Sequence, residues 1–270
     1  MAISAVDKTF AGSIPQVYES HMVPLIFQPY ADDLARRLAA RRASRVLEIA
    51  CGTGVVTRAL DGALAEDASI VATDLNPAMI EQARSSGTRR AVDWRTADAM
   101  ALPFPDASFD CVACQFGAMF FPDKAHAFAE ARRVLAPGGV FVFNVWDRIE
   151  DNDFAIVVTD ALAEMFPNDP PRFMARTPHG YHDVAAVAHD VMRAGFARPR
   201  IDTVTARSPA PNALFAAIAY CQGTPLRSEI ESRGGSLEKA TRVSARALES
   251  RFGSGAVDGK IQAHVVTAER

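Results

Sequence analysis

Between Arg45 and Trp146 short apolar runs alternate with helix-patterned stretches of about a dozen residues, and that rhythm leaves few folds open. "RVLEI", "SIVATD", "VDWRTADA", "FDCVACQ" and "VFVFNVW" read as strands. "TGVVTRALDGAL", "NPAMIEQARSSG" and "DKAHAFAEARRVL" read as helices. Asn76 and Pro77 give a helix start, and Gly87 a stop. Ala125, Phe128, Ala131 and Leu135 share one face of the third helix, which halts at "APGG". The fifth apolar run is rich enough for a strand buried on both faces. Strands alternating with helices predict an α/β chain with a mainly parallel sheet and right-handed crossovers.

An amphipathic helix at 31–42, "ADDLARRLAARR", precedes this region. After Asp147 the rhythm changes. "DVAAVAHDVMRAGF" is one more helix, "RPRIDTVTA" a strand, and "GKIQAHVVTAER" a last strand returning to the sheet. Residues 207–258 read as helical and loop-like, punctuated by Pro209, Pro211 and Pro225. No linker isolates them. The expected organisation is one domain: N-terminal helices at 1–43, a core at 44–206, a helical cap inserted at 207–258, and the last strand at 259–270.

Composition narrows the partners. A net charge of −3 with no Lys/Arg run gives nucleic acid no support. No apolar stretch approaches the roughly 20 residues that span a bilayer. The N-terminus lacks a basic start followed by an apolar core, so the expected compartment is the cytoplasm. Cys51, Cys111, Cys114 and Cys221 are too scattered for a disulfide framework. Cys111 and Cys114 lie three apart on a strand and so point to opposite faces, which suits neither a redox pair nor a metal clasp. They read as buried structural thiols, and no metal site is expected.

The informative stretch is "VLEIACGTGVVTRAL", where a strand gives way to a helix through Gly52 and Gly54. In an open parallel sheet the ligand lies beyond the carboxyl ends of the strands, near the reversal of strand order. Bare glycine backbone and free helix N–H groups there can approach a polar ligand. Asp74 ends the second strand, where a carboxylate can accept hydrogen bonds from both hydroxyls of a ribose. These residues point to an adenosine-type ligand. A nicotinamide nucleotide wants a third glycine, and here that place is Thr57. S-adenosylmethionine sites pair an acid on the first strand with a glycine loop, and Glu48 supplies that acid.

"LEIACGTG", "VATDLNPAMIEQAR", "ADAMALPFPDASFDCV" and "EARRVLAPGGVFVFNVW" follow one another in register over about residues 44–147. In this the chain resembles the class I S-adenosylmethionine-dependent methyltransferases, within them the group of the ubiquinone/menaquinone C-methyltransferases. The resemblance implies a Rossmann-like, doubly wound, mainly parallel seven-stranded sheet with an antiparallel last strand. It implies that Glu48 faces the methionine end of the cofactor, and that Ala50, Gly52 and Gly54 form the loop around methionine and ribose. Asp74 would hold the ribose hydroxyls, Leu75 and Met79 would pack on adenine, and Asp98 with the Ala99 backbone would meet the adenine amino group. Gln115 would offer its backbone near the methionine amine. Cys51 departs from the family's usual glycine.

The implied reaction is methyl transfer to a small molecule by in-line displacement at the sulfonium. In similar enzymes the segment before the first strand folds over the methionine end, making Tyr18 a candidate cofactor contact and His21 a candidate acceptor neighbour. Phe116, Met119, Phe120 and Phe121 follow the fourth strand and are candidates for an apolar acceptor wall. "RTPHGYHD" gathers His179, Tyr181 and His182 as further acceptor-side candidates, a neutral imidazole being a suitable base near pH 7. An NAD-dependent oxidoreductase and a non-catalytic S-adenosylmethionine-binding protein remain the alternatives. The acceptor atom, a catalytic residue and the oligomeric state do not follow from these residues.

Overall fold

The computed structural model describes residues 12–270; the first eleven, part of the expected N-terminal segment, lie outside the described residues. Seven strands form one sheet: β1 (Arg45–Ile49), β2 (Ser69–Asp74), β3 (Asp93–Thr96), β4 (Phe109–Gln115), β5 (Leu135–Trp146), β6 (Arg200–Ala210) and β7 (Val257–Glu269). Their order is β3-β2-β1-β4-β5-β7-β6. The pairs β1–β2, β1–β4, β2–β3 and β4–β5 are parallel. β7 runs the other way. Gly138 and Gly139 exchange backbone bonds with Arg270, whereas Asp147 donates to Gln262, so the partners' numbers fall as β5 advances. The expected doubly wound sheet with an antiparallel last strand is the sheet observed.

Residue contacts divide the chain into two compact units. One comprises Gln28–Val145, Tyr181–Val204 and Ala263–Arg270; the other comprises the described residues up to Phe27, Trp146–Gly180 and Thr205–Gln262. In the first unit, helices Gln28–Ala40, Val55–Ala63, Pro77–Ser86, Lys124–Val134 and Val184–Arg193 accompany the strands. Asn76 and Asp123 cap their helices by accepting from Ala78 and His126 amides. Phe128, Phe141, Phe143 and Phe196 form an aromatic core, with ring centroids 4.8–6.1 Å apart. "LAPGG", expected as a turn, already belongs to β5, because Arg270 pairs with both of its glycines.

The second unit is mostly helical. A π-helical stretch, Tyr18–Phe27, leads it, and helices Asp153–Met165, Ala213–Gln222, Leu226–Ser232 and Leu237–Phe252 follow. The sequence reading overlooked the helix Asp153–Met165, whose residues "DFAIVVTDALAEM" are apolar over most of its circumference and show weak periodicity. β6 continues to Ala210 and β7 begins at Val257, so helix starts only at Ala213. All four cysteines are buried and unbridged. Burial pushes the thiols of Cys111 and Cys114 up to about 12. Among the described residues no helix is long and apolar enough to cross a membrane, and no group of His, Cys, Asp and Glu is arranged to hold a metal ion.

Candidate active site

The strand order reverses between β1 and β4, the position at which a doubly wound sheet opens a crevice at its carboxyl edge. β1 ends on Ile49, and the chain then turns through Ala50, Gly52 and Gly54, all left-handed, with φ of +55°, +55° and +83°. Ala50 tolerates this at some cost, and glycine at none. The turn is anchored to β2 at two points. Cys51 N–H donates to the Thr73 carbonyl at 2.9 Å, and Gly52 N–H donates to Asp74 Oδ2 at 2.8 Å. The other oxygen of Asp74, Oδ1, accepts from Asn76 N–H at 2.8 Å. Burial raises the Asp74 pKa, while the Asn76, Gly52 and Leu75 amides act against that rise.

Gly54 has a reason to be glycine besides its φ. A Cβ there would lie 3.0 Å from the Trp94 ring and 3.2 Å from Ala83 Cβ. Its missing side chain thus serves helix-against-strand packing in this structure. Glu48 stands opposite Ala72 of β2 and Ala113 of β4, and is 1% exposed. Thr57 Oγ1, equally buried, donates to Glu48 Oε2 at 2.5 Å. Burial pushes the Glu48 carboxyl up to about 8, with Asp74 adding to the rise and Thr57 and Arg58 opposing it.

A second turn, after β4, abuts the first. Gln115 is buried and pairs in register with Asn144 of β5. Phe116 is also left-handed, φ +51°, and its N–H donates to Asn144 Oδ1 at 2.9 Å. A Cβ on Gly117 would lie 2.5 Å from Ala50 Cβ, so the two turns touch backbone to side chain. The sequence reading missed Thr57, Gly117 and Asn144 as parts of this arrangement. Thr57 carried a signal, since it broke the dinucleotide pattern, and Gly117 lies two residues past the fourth strand; Asn144 offered none beyond a polar residue inside an apolar run.

The other expected residues take varied places. Leu75 is 53% exposed at the end of β2, while Met79 is buried in the helix that follows. Asp98 is exposed and caps a turn by accepting from Met100 N–H at 2.9 Å; Ala99 is buried. Phe116 meets Tyr30 edge-on at 5.3 Å; Met119 and Phe121 are buried and Phe120 half-buried. Tyr181 donates its hydroxyl to Asp190 at 2.8 Å beneath the Lys124 ammonium, so its pKa rises through burial and that carboxylate. His182 is half-buried.

Tyr18, His21 and His179 belong to the other unit. Tyr18 stacks on Phe27 at 4.9 Å. His21 stacks on Phe215 at 4.5 Å with its Nδ1 2.8 Å from the Ser20 hydroxyl, and burial lowers its pKa. His179 is buried, with Nδ1 2.8 Å from the Asp147 carbonyl and its ring beside Trp146. The "HGYH" cluster is therefore divided between the two units.

A 3-2-1-4-5-7-6 sheet with antiparallel β7 is the class I methyltransferase Rossmann-like α/β fold, and here it carries a glycine turn after β1 and an acid closing β2. Residues 47–143 match the family described as "Methyltransferase domain". The ubiquinone/menaquinone biosynthesis C-methyltransferase UbiE of Erwinia tasmaniensis is 40% identical over 103 residues, 37% of this chain and 41% of that protein. The same enzyme of Proteus mirabilis is 35% identical over 130 residues, 47% and 49% of the two chains. The chain thus covers under half the length of these relatives. The YcgJ protein of Bacillus subtilis superposes with a TM-score of 0.56 at 18% identity, covering 90% of this chain and 98% of that one. For the Haemonchus contortus phosphoethanolamine N-methyltransferase 2 the TM-score is 0.60 at 15% identity, covering 99% and 61%. These two establish likeness of fold.

Proposed function

We propose that the chain transfers the methyl group of S-adenosylmethionine to a small-molecule acceptor, as a cytoplasmic enzyme whose core carries the cofactor. The observation that supports this most is the bond from Gly52 N–H to Asp74. It leaves lone pairs on a carboxylate held by two backbone amides, a donor-free surface suited to ribose hydroxyls. Thr57 in the third glycine's place, with its hydroxyl given to Glu48, favours this cofactor over a nicotinamide nucleotide. The net charge of −3 and the names of the quinone-pathway relatives favour a small acceptor over nucleic acid.

Bound S-adenosylmethionine supplies a methyl group made electrophilic by its sulfonium. In this proposal Asp74 holds the ribose, Leu75 and Met79 flank the adenine, and Asp98 with Ala99 meets its amino group. Glu48 and the Gln115 backbone face the methionine end. Phe116, Met119 and Phe120 line the acceptor side, joined by Tyr181 and His182 of the same unit. The residues' chief task is orientation and exclusion of water, which can supply roughly 7–11 kcal/mol of barrier reduction. Thermal melting tests the cofactor choice. A rise in melting temperature with S-adenosylhomocysteine and none with NAD supports the proposal. A rise with NAD alone overturns it.

A further inference from the structure

Glu48 and Thr57 form a hydrogen-bonded pair inside the domain. Thr57 is 0% and Glu48 1% exposed, their oxygens are 2.5 Å apart, and Ala72 and Ala113 stand beside Glu48 on the adjoining strands. Among the described residues, the charged and titratable groups acting on this carboxyl are Asp74 and Arg58, with the Cys51 and Cys114 thiols nearby. Asp74 closes β2, Arg58 lies on the next helix and donates to the Thr53 carbonyl at 2.7 Å, and the thiols of Cys51 and Cys114 are neutral through burial. A buried carboxyl beside a second carboxylate keeps its proton until a cation arrives.

We propose that Thr57 is a positioning residue that aims Glu48 at the ammonium of the cofactor, and that binding drives the Glu48 proton out to solvent. This rests on the cofactor reading above. The hydroxyl of Thr57 is a donor aimed at one carboxylate oxygen, so it stabilises the ionised form and fixes the plane of the group. The incoming ammonium completes the pair. Burial raises the Glu48 pKa to about 8, in agreement with a protonated resting state at neutral pH.

The test is titration calorimetry of S-adenosylhomocysteine between pH 6 and 7, where its ammonium is already charged, in buffers of different ionisation enthalpy. The wild type should release about one proton per ligand, with affinity rising about tenfold per pH unit. E48Q should lose both the release and the slope. T57V should bind about tenfold more weakly at pH 7 and push the affinity plateau to higher pH, and T57S should restore the wild-type profile. A merely structural Thr57 would leave the proton count and the profile unmoved. Binding without proton release in the wild type, or release retained in E48Q, overturns the inference while sparing the cofactor reading. Absence of binding at every pH overturns both. The wild-type proton count decides even where a variant fails to fold.

Discussion

The amide of Gly52 lies 2.8 Å from Oδ2 of Asp74, tying the turn after the first strand to the last residue of the second. The residue assigned to ribose therefore also shapes the loop assigned to methionine. Replacing Asp74 removes two functions at once. Asp74→Ala should weaken S-adenosylhomocysteine binding by about 1.5–3 kcal/mol, the scale of charge-assisted hydrogen bonds. It should also lower the melting temperature of the ligand-free protein, because Gly52 and Asn76 lose their acceptor. Unchanged affinity in a folded variant would refute the ribose assignment.

The contact between Gly117 and Ala50 should show as energetic coupling. A methyl group on Gly117 would sit 2.5 Å from Ala50 Cβ and 2.9 Å from Cys114 Sγ. Gly117→Ala should cost roughly 1–3 kcal/mol in denaturant unfolding. Ala50→Gly removes the 2.5 Å clash, so the double variant should recover at least about 0.5 kcal/mol beyond additivity; relief of the left-handed alanine appears equally in the single variant. Strict additivity would mean the two turns do not press on one another.

Asn144 holds Phe116 in its left-handed conformation through the bond at 2.9 Å. Asn144→Leu leaves that amide only its longer bond, 3.3 Å, to the backbone carbonyl of residue 144, and should destabilise by about 0.5–1.5 kcal/mol. Asn144→Asp keeps an acceptor oxygen and should recover part of the loss. Equal melting temperatures for the two variants would count against this role.

Stability should fall with pH in a window set by Glu48. The ordinary carboxyl value is 4.5, and burial raises this one to about 8. Between those values the folded state holds a proton that the unfolded chain has released, so stability declines as pH rises from about 4.5 to 8 and is lowest beyond. Glu48→Gln should flatten that decline and stabilise the ligand-free protein by roughly 2–4 kcal/mol at pH 8.5. Melting curves of both proteins from pH 5 to 9 check the sign; a wild-type profile that rises across this range contradicts it.

Much of the fold could be read from the residues because the sheet advertises itself. "SIVATD" coincides with β2 end to end, and Asn76–Pro77 marks the start of the helix that follows. Local signals of that kind need no tertiary context. The helix Asp153–Met165 escaped because its apolar residues encircle it, so periodicity gave no face. In the site, the glycines and Asp74 were visible as types at a spacing. The partners of Gly54, Gly117 and Asn144 were not, because each depends on a residue 28 or more positions away that only the folded sheet brings near, such as Trp94 for Gly54 by way of β3 and Ala50 for Gly117 by way of β4. 

The central claim is that backbone amides after β1 and the carboxylate ending β2 together hold a methyl-donating nucleoside. Calorimetric titration of well-folded protein with S-adenosylhomocysteine tests it most directly, with Asp74→Ala alongside. The account predicts one site per chain in the wild type and at least about tenfold weaker binding in the variant. A flat titration with both S-adenosylmethionine and its demethylated product, in protein that melts cooperatively, would contradict it.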